Sequence, residues 1–148
     1  MAYAALITWF MTILAGLFML TVWLIERDVT DGGAGSGRLP VPVVCSHLLL
    51  ALTGLGVWVA YLILDRTVLA WTAVLLLGLI GLLGAAMFAR WIPVYREPMV
   101  PAAVQVLSAP PAPTPESAFP FAVVIGHGLL AVTTIVLVLL TTLGVGGG

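Results

Sequence analysis

Four apolar runs, 3–25, 43–64, 68–89 and 119–143, contain none of the chain's five arginines or six acidic residues. Each reaches the roughly 20 residues that a helix needs to cross a hydrocarbon layer about 30 Å thick. Without water, a spanning segment must satisfy its own backbone hydrogen bonds, and unbroken runs of Leu, Ala and Val do so as helices. The pattern predicts an all-α, integral membrane four-helix bundle, with residues 1–148 forming one transmembrane domain. The polar remainder is a Gly-rich loop over 26–42, a tight connection at Asp65-Arg66-Thr67 and a Pro-rich loop over 90–118.

The loops carry their own signals. Asp31-Gly32-Gly33-Ala34-Gly35-Ser36-Gly37 reads as a flexible linker. It lacks the strand before it and the Lys-Ser/Thr after it that a phosphate-binding loop requires. The short connection makes spans 2 and 3 an antiparallel hairpin, with Thr67 as an N-cap. Pro42 suits a first helical turn, and Pro120 opens span 4. The third loop contains an apolar stretch over 99–107, too short to span and suited to lying on the membrane or against a partner.

Small and polar residues at helical spacing mark the inward faces, because helices in lipid associate through close backbone approach and polar contacts. The faces are Trp9, Thr12, Gly16, Met19 and Trp23 on span 1, and His47, Ala51, Gly54, Trp58 and Tyr61 on span 2. Span 3 offers Gly78, Gly81, Gly84 and Ala85; span 4 offers His127, Ala131, Thr134, Val138 and Thr141. Tyr3, Trp71, Trp91 and Tyr95 fall at membrane edges, as interfacial anchors do. Scanning for residue identities brings out no repeat, although two hairpins of two helices leave room for one.

Composition strengthens the membrane reading. The chain is 62% hydrophobic and 7% charged, against about a quarter charged in soluble domains. It has no lysine and a net charge of −1, so no basic surface invites nucleic acid. Too little chain lies outside the spans for a soluble catalytic domain. Arg27, Arg38, Arg90 and Arg96 fall on the side of loops 1 and 3, and Arg66 alone on the other. The positive-inside rule then places loops 1 and 3 in the cytoplasm and both termini outside, in a multi-pass plasma-membrane protein. The first span lacks a basic segment before it, so it reads as a retained helix. Cys45, the single cysteine, reads as a buried inert thiol.

Candidate chemistry narrows to His47 and His127, since an ionisable residue within a span marks a functional site by default. Spans 2 and 4 run in the same direction, and both histidines lie about 6–12 Å inside the loop-1/loop-3 boundary at 1.5 Å per residue. Two imidazoles at similar depth on parallel helices suit the axial positions of a b-type haem. Gly54, Gly126 and Gly128 would allow a flat ring near the backbone, and Arg27, Arg90 and Arg96 would pair with its propionates. The plainer reading gives each histidine one interhelical hydrogen bond and no cofactor; quinone or proton handling is a third. No metal site is expected, because Cys45 and His47 point to different sides of a helix and zinc needs three or four converging ligands. Four serines, with Ser46 diverging from His47, provide no nucleophile–base set, so the chain is not expected to be an enzyme. A small transporter would need a polar track, and the spans hold only scattered threonines.

The lysine-free, Ala/Gly/Leu/Val-rich layout with minimal loops resembles small accessory subunits of actinobacterial respiratory (cytochrome bcc–aa3) supercomplexes. Minimal loops, the lack of a catalytic set, glycine-lined faces and the apolar Pro-rich loop favour a non-catalytic accessory subunit without a cofactor; the resemblance implies that it associates with and stabilises an oxidase assembly through other integral membrane subunits and the lipid bilayer. The alternative is a haem b electron carrier with His47 and His127 as axial ligands.

Overall fold

The computed structural model describes residues 1–30, 39–96 and 114–145, without the side chains of 29, 30 and 96. Four long helices account for most of it: α1 (Ala2–Thr30), α2 (Val41–Leu64), α3 (Thr67–Arg96) and α4 (Phe121–Thr142). A short 3₁₀ turn, Pro115–Ala118, precedes α4. The helices contain 22 to 30 residues, or about 33–45 Å at 1.5 Å per residue. All four are long and apolar enough to cross a membrane, which fits a multi-pass protein in a lipid bilayer. The Gly-rich stretch 31–37 and the apolar stretch 99–107 lie outside the described residues.

Helices α1 and α3 continue past the expected ends of their apolar runs, at 25 and 89, because charge does not interrupt backbone hydrogen bonding once a helix leaves the hydrocarbon layer. Pro93 falls in the last turns of α3. Pro40 and Pro120 cap α2 and α4 with extended backbone, and each carbonyl accepts from the two valine N–H groups three and four residues on. Between α2 and α3 the chain reverses through Asp65, which adopts the left-handed conformation at φ 48° and donates its N–H to the Tyr61 carbonyl at 2.9 Å. Thr67 is the first residue of α3 rather than its cap; the Arg66 carbonyl accepts from Leu69 N at 2.8 Å.

Helix α1 packs most extensively on α4, and α2 on α3; the α1–α2 and α3–α4 contacts are lighter. Among the described residues α2 and α4 do not pack on each other, nor do α1 and α3. The two histidine-bearing helices are therefore diagonal. Near the Asp65 turn the bundle is a packed core of Ala5, Trp9, Ile13, Trp58, Ala73, Leu77 and Val138, among others. Trp58 is fully buried there, and its indole N–H donates to the Ala2 carbonyl at 3.3 Å. Threonines do not bridge the helices as interhelical glue would: Thr12, Thr134 and Thr141 each return their hydroxyl to the carbonyl four residues back. Cys45 is exposed on α2 rather than buried, since the rotation that turns His47 inward turns Cys45 and Ser46 outward.

Candidate functional site

At the end opposite the Asp65 turn, the diagonal helices leave a cavity of about 540 Å³. His47 stands six residues beyond Val41, the first residue of α2, and His127 six beyond Phe121, the first of α4. Both rings thus lie at one depth, about 9 Å into their helices at 1.5 Å per residue. Both line the cavity. Their centres are 6.4 Å apart and their planes are inclined by 53°.

Each ring rests on a glycine of a neighbouring helix. A Cβ on Gly16 of α1 would lie 3.1 Å from His127 Cε1, and one on Gly84 of α3 would lie 3.3 Å from His47 Cε1. His127 Nδ1 lies 3.0 Å from the Thr12 carbonyl, one helical turn from Gly16. A carbonyl can only accept, so Nδ1 carries a proton, and in the neutral ring Nε2 keeps its lone pair. Ile80 stands to Gly84 as Thr12 does to Gly16. His47 Nδ1, by contrast, is buried and makes no hydrogen bond.

The remaining walls are mostly apolar, and several of their residues come in matched pairs. Met19 and Met87, Trp23 and Trp91, Leu39 and Phe119, Val44 and Val124, and Ala51 and Ala131 all line the cavity. With the histidines superposed, a repeat emerges that identity scanning did not bring out. The pattern Pro-x-x-Val-Val-x-x-His-x-Leu-Leu-Ala-x-Thr runs from Pro40 to Thr53 and again from Pro120 to Thr133. On α1 and α3 the matched residues are Ala5 and Ala73, Gly16 and Gly84, Met19 and Met87, and Trp23 and Trp91. Loops of unequal length between the paired helices hide this correspondence from a search for one fixed period.

Other expected site residues are placed differently. Arg27 lies over the Trp23 ring, 5.1 Å from its centre, and Arg90 is exposed; neither is among the cavity-lining residues. The Arg96 side chain lies outside the described residues. Gly54 receives the Trp9 indole, with a Cβ there falling 2.8 Å from Cζ2. Gly128 lines the cavity, and a Cβ on Gly126 or Gly128 would meet nothing within 4 Å. Trp91 is not a plain interfacial anchor: it is 4% exposed and stacks on Phe88, Tyr95 and Phe121. Tyr3, Trp71 and Tyr95 are exposed, as edge residues should be. Sequence reasoning missed Glu116, a loop carboxylate that is fully buried. Comparison of the chain with protein-family models, curated proteins and solved structures finds no match in any of the three.

Proposed function

We propose that this chain is a membrane electron carrier that holds a b-type haem between His47 and His127. The observation that carries the reading is the opposed pair of imidazoles across an apolar cavity. An iron atom bound by two imidazole nitrogens at roughly 2 Å each sets the ring centres roughly 6 Å apart. The observed 6.4 Å fits that span. The cavity, about 540 Å³, falls within the ~300–1,000 Å³ of pockets that enclose organic ligands. A bare metal ion suits the donors less well, since no group of three or more His, Cys, Asp or Glu side chains converges among the described residues.

When bound, haem supplies a one-electron couple. The chain's own residues do the rest. The Thr12 carbonyl fixes the His127 tautomer and ring plane, as outer partners of ligating histidines do. Gly16 and Gly84 admit the two rings. The paired apolar walls keep water from the centre. His47 and His127 would both be taken up as ligands, which would leave no position open for O₂ and would suit electron transfer. Arg27 and Arg90 do not line the cavity, so they would pair only with propionates that reach past its loop-end rim. By their charge, loops 1 and 3 face the cytoplasm of a plasma-membrane protein.

Purified from haem-replete cells, the chain is expected to show a sharp reduced α-band, lost in both His47→Ala and His127→Ala. A folded, colourless protein that takes up no added haem would refute the assignment.

A second reading, a non-catalytic subunit stabilising a larger respiratory complex, draws support from Gly56 and Gly78. Both are exposed, Gly78 against the expectation that it faces inward, and a Cβ on either meets nothing within 4 Å. Such open positions admit the close approach of another subunit's helix. The two readings are compatible, and copurification of a stoichiometric membrane partner tests the second.

A further inference from the structure

We propose that Glu116 is a positioning residue that holds together the loop-end wall of the cavity. It acts from behind that wall: Trp23, Leu39 and Phe119 line the cavity, and Glu116 does not. One carboxylate oxygen, Oε1, accepts from the backbone N–H of Leu39 at 2.9 Å and from the Trp23 indole N–H at 3.3 Å. These donors come from distant parts of the chain, α1 and the residue before the α2 cap. A single oxygen thus joins the end of loop 3 to both.

The local sequence builds this arrangement. Thr114 and Pro115 start the 3₁₀ turn, where the Thr114 carbonyl accepts from Ser117 N at 2.9 Å and Ser117 Oγ at 2.7 Å. The turn ends with Phe119 N donating to the Glu116 carbonyl at 3.3 Å. Glu116 is left fully buried, and Oε2 makes no hydrogen bond. Both donors belong to residues at most 5% exposed. Removing their shared acceptor would leave two buried N–H groups unsatisfied. The matching position on the other half is held otherwise, by the stacking of Trp91 on Tyr95 and Phe121.

Both bonds run to one oxygen, so an amide oxygen should replace it. Glu116→Gln keeps the acceptor, Glu116→Leu removes it, and Trp23→Phe removes one donor while keeping an aromatic ring. Two rates are measured in detergent: haem transfer to a scavenging apoprotein, and modification of His47 and His127 by diethyl pyrocarbonate in the haem-free chain. The second does not depend on the haem reading. Glu116→Leu is expected to raise both rates by roughly tenfold or more. Glu116→Gln should stay within about twofold of the parent, and Trp23→Phe should fall between them. Unchanged rates in Glu116→Leu would overturn the proposal, and so would Glu116→Gln behaving like Glu116→Leu. If Glu116→Leu does not fold, Trp23→Phe decides: unchanged rates there would also overturn it. A chain that takes up no haem refutes the haem reading alone, and histidine modification still judges Glu116.

Discussion

The α1–α2 hairpin and the α3–α4 hairpin offer the cavity nearly the same set of residues, yet they finish its loop end in different ways. Histidine, the glycine seat, methionine and tryptophan recur on both sides. The heavy interfaces match as well, because α1 packs on α4 as α3 packs on α2. Helices α1 and α3 run parallel, so the relation is a pseudo-two-fold about an axis along the bundle. A pair of ligands facing each other at one depth follows from it. At the loop end the relation fails: Trp23 is tied to Glu116 and covered by Arg27, whereas Trp91 continues into exposed Tyr95 and Phe121. A duplicated scaffold thus supplies equivalent ligands, while unequal loops make its two sides distinct.

The greatest effect is expected where the halves divide volume differently. Trp9 and Gly54 on one side correspond to Leu77 and Thr134 on the other, all buried. A Cβ on Gly54 would approach the Trp9 ring to 2.8 Å, and that ring is enclosed by core. Gly54→Ala should therefore cost about 2–3 kcal/mol by overpacking. Thr134→Ser, which removes one methyl, should cost roughly 1 kcal/mol. Thermal unfolding in micelles would measure both, and equal losses would contradict the division.

Next come the histidine seats. Gly16→Ala and Gly84→Ala should each cost about 1–2 kcal/mol and disturb the visible spectrum of the haem-loaded protein. Gly16→Ala should be the more severe: its contact is closer, 3.1 against 3.3 Å, and the His127 ring is tied to Thr12. A larger spectral change at Gly84 would show that the Thr12 bond does not restrain the ring.

The smallest effect concerns the helix ends. Asp65 and Gly144 both adopt positive φ, 48° and 75°. Alanine is strained there by roughly 1 kcal/mol. Gly144→Ala should cost about that much and Asp65→Ala less, because the native aspartate already bears part of the strain. The same unfolding measurement would reveal the reverse order if it held.

The sequence alone determined that this chain makes four membrane-length helices, that His47 and His127 are the span-borne ionisable residues apart from Cys45 and tyrosines, and which faces of α1, α2 and α4 are inward; on α3 the buried line runs instead through Ala73, Leu77 and Ile80, with Gly78 and Ala85 exposed. The free energy of placing a segment in lipid depends on that segment's own residues, so it can be read locally. Only the tertiary structure decided that α2 and α4 are diagonal, that both histidines turn to one cavity over Gly16 and Gly84, and that Trp91 is enclosed. Glu116 illustrates the reason most clearly. It reads as a solvated loop acid until Trp23, 93 residues away, and Leu39, 77 residues away, bring their N–H groups to it. Rotation, neighbour order and burial of this kind arise from contacts between distant segments, and hydropathy along the chain does not encode them.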